Sequence, residues 1–163
     1  MYLQNIVYYL NPIIMIKEAQ ERTVKLQLKM QELKIPLAIF TDESSIAYLA
    51  GFWGYLGIEF GRPTMLLIFA NSDPLIITPL VEAEMVSKMT WVKKVDIWED
   101  TGENTWSKYL YSAIHSYIGN NPKSLWIEKN KIPQLIKIFL DENFKSSKIE
   151  DIGHTLGEMR TIK

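Results

Sequence analysis

Cysteine is absent from the sequence, and histidine occurs only at positions 115 and 154. The first absence excludes disulfides, thiolate metal sites and cysteine nucleophiles, and it suits a cytoplasmic setting. The second leaves little for zinc, which needs three or four converging ligands, often at short helical spacing. His115 and His154 are widely separated and no His-Glu-x-x-His occurs, so each reads as a surface or local hydrogen-bonding residue. Neither sign of charge dominates: 18 Lys and Arg stand against 19 Asp and Glu, a formal net charge of −1. Without a basic stripe there is no electrostatic footprint for nucleic acid. Long apolar runs are missing too. The most apolar stretch, NIVYYLNPIIMI, lacks a basic flank, is interrupted by Asn11-Pro12 and is shorter than the roughly 18 residues of a spanning helix. No membrane role is expected. Residues 1–20 read as an N-terminal arm, packed at an interface or into the core.

What remains is a globular composition, 47% hydrophobic and 23% charged over 163 residues, of a size suited to one domain. Apolar positions at steps of three and four (Thr23, Leu26, Met30, Leu33) predict a helix over 18–34. PLAIF (36–40) reads as a buried strand. Ser44 or Ser45 then caps a short helix ended by Gly51. TMLLIFA (64–70) and LIIT (75–78), joined by Asn71-Ser72-Asp73-Pro74, predict a hairpin. Pro79 opens a helix with Val81, Met85 and Met89 on one face. A strand comes next at 91–98. The face Trp106, Leu110, Ala113, Ile114, Tyr117 predicts a helix over 105–118, stopped at Gly119. Strand 124–128, helix 131–142, strand 147–152 and a last helix from His154 complete an α/β pattern: a mixed or mostly parallel sheet flanked by helices.

No catalytic motif stands out. There is no Gly-x-Ser-x-Gly elbow, no dinucleotide fingerprint and no Gly-Lys-Ser/Thr phosphate loop. Asp96, Glu99 and Asp100, and separately Asp42 and Glu43, come after strands, where α/β sites form, and either group could serve as acid or base. Solvated loops account for both equally well. A magnesium nuclease built on Asp42 and Asp96 is disfavoured by the lack of basic surface.

The unusual stretch is SIAYLAGFWGYLGIEFGRPT (45–64), with glycines at 51, 54, 57 and 61 among Tyr48, Phe52, Trp53, Tyr55 and Phe60. Glycines free the backbone to turn tightly, while aromatics supply large contact area. Core packing accounts for Tyr48 and Phe52. Trp53, Tyr55, Phe60 and Arg62 are candidates for a contact or substrate role, with a local salt bridge as the alternative for Arg62.

The order of these features resembles the N-terminal domain of the creatinase/prolidase family, the pita-bread metallopeptidases that include Xaa-Pro dipeptidases and aminopeptidases. The resemblance runs from about Arg22 to Lys163, so that the domain is taken as 21–163. Ser45-Ile46-Ala47-Tyr48-Leu49-Ala50-Gly51-Phe52 is similar to the family's N-I-x-Y-L-T-G-F signature. Arg62-Pro63, Ile77-Thr78-Pro79 with Glu82, and Leu125-Trp126-Ile127-Glu128 stand in the family's order, and Met159-Arg160-Thr161-Ile162-Lys163 resembles its L-R-x-I-K junction. The resemblance implies a ribonuclease H-like topology and a role in homodimer assembly and access of peptide substrate. It implies no catalytic and no metal-binding residue in this chain. Two divalent metals (manganese, cobalt or zinc) belong to a C-terminal catalytic domain that would be this domain's partner; Asp141 and Asp151 lack the pattern of its metal aspartates. The resemblance implies a loop after the first strand that reaches toward the partner subunit's active site, and Phe60-Gly61-Arg62 resembles a segment that creatinase-like members use to hold substrate there, which suggests an interface or substrate role for Trp53, Tyr55, Phe60 and Arg62. The alternative is a free-standing peptide- or protein-binding module of the same descent.

Overall fold

The computed structural model describes residues 12–54 and 61–161. Helix α1 spans Pro12–Leu33, followed by strand β1 (Leu37–Phe40), α2 (Glu43–Ala50), β2 (Met65–Phe69) and β3 (Leu75–Pro79). A single 3₁₀ turn, Leu80–Glu82, leads into α3 (Ala83–Met89). Then come β4 (Lys94–Trp98), α4 (Trp106–Ile118), β5 (Ser124–Ile127), α5 (Gln134–Asn143), β6 (Lys148–Asp151) and α6 (Gly153–Thr161).

The six strands form one mixed sheet in the order β4-β3-β2-β1-β5-β6. β2 runs antiparallel to both β1 and β3, and the remaining pairings are parallel. Five strands therefore end at one edge of the sheet, and β2 begins there. β1, β2 and β3 are buried along their whole length, as expected for strands covered on both faces. Alternate side chains go to opposite faces. Ala38, Phe40, Leu66 and Ile68 join Leu26 and Met30 of α1, Ile46 and Leu49 of α2, and Leu156 of α6. Leu37, Ile39, Met65, Leu67 and Phe69 join Leu110 and Ile114 of α4 and Ile136 and Leu140 of α5. Each fully buried Leu, Ile, Met or Phe side chain among these contributes about 1.5–3 kcal/mol of transfer free energy. On the hairpin side, the Gln27 amide donates to the carbonyls of Phe69 and Ser72, and Gln31 donates to that of Ala70. These bonds tie the β2–β3 turn to α1.

Several expectations are corrected. α1 begins at Pro12, six residues earlier than the periodicity predicts. Asn11-Pro12 reads as a break, yet proline is well tolerated in a first helical turn, where its missing N–H is not needed. Residues 1–11 lie outside the described residues. Leu33 is exposed rather than on the core face. Pro79 ends β3 and caps the 3₁₀ turn, so that the α-helix itself starts only at Ala83 and its phase shifts. The core residue of α3 is Val86, and Val81 and Met89 are exposed. Tyr117 also turns out to the surface, where it stacks on Phe69 at 4.4 Å between ring centroids.

Candidate functional site at the carboxyl edge of the sheet

The glycine-aromatic stretch starts at the carboxyl edge, directly after α2. This eight-residue helix is too short to hold itself, and it is pinned at both ends. Asp42, rather than either serine, is its N-cap: the Asp42 carboxylate accepts the Ser45 backbone N–H at 3.2 Å and also the Ser44 hydroxyl. At the other end the last four carbonyls have no partner within the helix, and each is met from outside the helix. Gly51 N–H donates to Ala47, Arg22 to Tyr48, Thr23 and Trp91 together to Leu49, and Thr90 to Ala50. Gly51 itself sits at φ 75°, in the left-handed region that suits glycine.

Past Gly51 the aromatics divide. Phe52 is fully buried in the α1-side core. Trp53 is 55% exposed and lines an open groove of about 500 Å³ with Met15, Ile16, Ala47 and Met89. Gly54 is buried hard against Glu82: a Cβ there would lie 3.0 and 3.2 Å from the two carboxyl oxygens of that side chain. Glu82 is 1% exposed and accepts the hydroxyls of Thr64 at 2.7 Å and Thr78 at 3.3 Å. Tyr55 and Phe60 lie outside the described residues. Arg62 is half-exposed and pairs with Asp100 at 2.7 Å, and the Pro63 carbonyl accepts the Trp98 indole N–H at 3.1 Å.

A second polar group occupies the same edge on the α6 side. The buried Ser45 hydroxyl donates to Glu128 at 2.8 Å and accepts from Arg160 at 2.9 Å. Lys131 lies 3.2 Å from Asp42. Burial pushes the Glu128 carboxyl up, and the Asp42 charge adds to this. The Ser45 hydrogen bond and the Arg160 and Lys131 charges only partly offset them. Burial would raise Asp42 as well, but the Ser44 and Lys131 hydrogen bonds, the Lys131 charge and the Ser45 N–H outweigh it and hold that carboxyl low. The signs are therefore opposite. Asp42 contributes stability above the ordinary aspartate pKa, lost as pH falls through its depressed folded value. Glu128 stabilises relative to the unfolded chain only at low pH, and this is lost as pH rises through its raised folded value. Measured by denaturant melts between pH 4 and 7, Glu128→Gln is expected to gain stability relative to the parent chain as pH rises. A constant difference would show that Glu128 titrates normally.

The remaining candidates do not converge. Asp96, raised by burial, lies within β4, three strands away from β1 and Asp42, about 14 Å at ordinary strand spacing. His115 makes an edge contact with Tyr111, and exposed His154 lies 3.7 Å from Glu158. Among the described residues, no three His, Asp or Glu side chains form a group that could hold a metal ion. The two divalent metals implied by the family resemblance thus find no ligand set there. No helix among the described residues is long and apolar enough to cross a membrane.

Sequence reasoning named Ser45 only as a possible cap and within the signature-like stretch, and it gave Glu82 and Glu128 no role of their own. A buried carboxylate leaves no periodic signal, though Glu82 and Glu128 both belong to the quoted family-like segments.

The comparisons with known proteins agree with this architecture. The family model described as Creatinase/Prolidase N-terminal domain matches residues 22–162. No curated protein matches the chain. Among solved structures, the Creatinase/Prolidase N-terminal domain of an X-Pro dipeptidase from Streptococcus pyogenes superposes with a TM-score of 0.71 at 17% identity, covering 85% of this chain and 98% of that one. Prolidase from Thermococcus sibiricus gives 0.76 at 19%, covering 89% of this chain and 37% of its own. X-Pro aminopeptidase from Thermotoga maritima gives 0.67 at 17%, with 86% and 36% covered. In the last two, the matched part is about a third of a longer chain.

Proposed function

The chain belongs to the creatinase/prolidase N-terminal domain family, and from that premise we propose that it is the non-catalytic domain of a metal-dependent Xaa-Pro dipeptidase, acting in assembly and in access of peptide to the active site. The observation that carries this reading is the family match over 22–162, nearly the whole described chain. In this proposal the two divalent metals and the hydrolytic chemistry reside in a further domain, and the setting is cytoplasmic. The carboxyl-edge loop supplies contacts. Trp53 offers a large, exposed, rigid surface of the type that anchors interfaces. Arg62 is held by a half-exposed pair with Asp100, worth at most about 1 kcal/mol, so a substrate carboxylate can displace Asp100 and take up the planar guanidinium. The groove beside Trp53 favours a second reading, a peptide-binding module without hydrolysis.

The test is an assay of the purified chain on Xaa-Pro dipeptides with added manganese, cobalt or zinc, together with sedimentation of the parent chain and the Trp53→Ala variant. No turnover is expected, and the variant is expected to self-associate less. Turnover that co-purifies with the chain would overturn the non-catalytic assignment. Unchanged association would overturn the role given to Trp53. Saturable peptide binding that is lost in Trp53→Ala would favour the second reading.

A further inference from the structure

α6 is a poor helix by its own chemistry. It has nine residues, two of them glycine, and helices this short are marginal in water even with better composition. Its apolar anchors are Leu156, 1% exposed, the preceding Ile152, fully buried, and Met159, which packs against the same core. Burial of this kind holds the helix down but does not fix its rotation, because the hydrophobic effect is not directional.

Direction comes from α2. The Tyr48 hydroxyl donates to the Met159 carbonyl at 3.0 Å. That carbonyl lies in the last described turn of α6. One residue on, the Arg160 guanidinium reaches the Ser45 hydroxyl at 2.9 Å, and Ser45 directs its own proton to Glu128 at the end of β5. The same guanidinium lies 5.3 Å from the Tyr48 ring centre, and Arg22 of α1 lies over that ring at 4.5 Å. Two cations therefore lie close to the Tyr48 ring, and three helices meet on it. A positive side chain at the end of α6 also suits the helix dipole.

We propose that Ser45 and Tyr48, one turn apart on α2, form a socket that fixes the orientation of α6 and so the direction in which the chain leaves the sheet. On this account the tyrosine of the signature-like stretch is a positioning residue, serving neither as mere core filler nor as a contact to substrate. The significance of that direction rests on the reading that a further domain follows. The socket itself is a property of this chain and is tested without it.

The experiment is amide hydrogen exchange on the full chain, with Tyr48→Phe and Arg160→Met compared with the parent. Tyr48→Phe keeps the ring and removes only the donor; Arg160→Met keeps the stem and removes the guanidinium. In each variant the α6 amides are expected to exchange about fivefold faster, the loss of one ordinary hydrogen bond, while β1 and β5 amides keep their protection. Residual dipolar couplings of the α6 N–H groups are expected to fit one orientation relative to the sheet in the parent and to shrink in the variants. Unchanged α6 protection and couplings in both variants would overturn the socket. So would equal loss of protection in α6 and the sheet, which would mean that these contacts only stabilise the fold as a whole. Either result leaves the peptidase-domain reading standing.

Discussion

Phe52→Ala is expected to destabilise the domain by about 3–5 kcal/mol, the ordinary range for emptying a large buried aromatic site, whereas Trp53→Ala one residue later changes stability by less than about 0.5 kcal/mol. Phe52 is wholly excluded from water among Leu26, Phe40, Ile46 and Leu66. Its loss leaves a cavity beneath α2, a helix that depends on packing and on borrowed hydrogen bonds. Trp53 points the other way, along the groove with Met15 and Met89. Urea melts of the two variants measure the difference directly. A small effect at Phe52, or a large one at Trp53, would mean that the stretch enters the core in another register.

Gly54→Ala is the second large effect, at about 1–3 kcal/mol, the usual range for overpacking. The new methyl would sit 3.0–3.2 Å from the Glu82 carboxylate oxygens and 3.1 Å from the Phe52 ring. Neither neighbour can easily yield, because Thr64 and Thr78 hold the carboxylate and the core surrounds the ring. Space rather than backbone freedom is what the glycine supplies here, so shortening the carboxylate side chain should relieve the clash. In a double-mutant cycle, Gly54→Ala with Glu82→Ala is expected to cost less than the sum of the two single changes. Strict additivity would show that the glycine serves some other purpose.

Much of the architecture is legible in the sequence because it is written in local chemistry. PLAIF, TMLLIFA and LIIT are apolar runs bounded by turn residues. The Asn71–Pro74 turn places β2 against β3, and the α4 face shows in its spacing from Trp106 to Ile114. Errors arise where two local readings compete. Proline can end a segment or begin a helix; by local pattern Pro12 reads as a break, yet it starts α1, and Pro79 reads as a helix start, yet it both ends β3 and caps a 3₁₀ turn ahead of α3. The phase of α3 suffers from the second error: Val86 faces inward while Val81 and Met89 do not.

The site is less legible, because its contacts join residues distant in sequence. Nothing near Leu49 indicates that Thr23 and Trp91 share its carbonyl. Nothing near Tyr48 points to Met159 or Arg160. Glu82 and Glu128 are buried carboxyl side chains, which hydropathy reads as surface; only their neighbours, the threonines in one case and Ser45 in the other, explain their place. Phe52 and Trp53 are adjacent aromatics that spacing alone does not separate, and they divide between core and surface. Arg62, for which the sequence allows either a substrate contact or a local pair, is found beside Asp100.

The central claim, that this domain serves a metallopeptidase whose catalytic groups lie elsewhere, is tested most directly by reading the gene past the codon for Lys163. The account predicts an open frame leading into a second domain that carries two Asp, one His and two Glu as ligands for a pair of divalent metals. A stop codon at that point, with no such domain in the same chain, would contradict it and leave the groove beside Trp53 as the feature whose partner must be found.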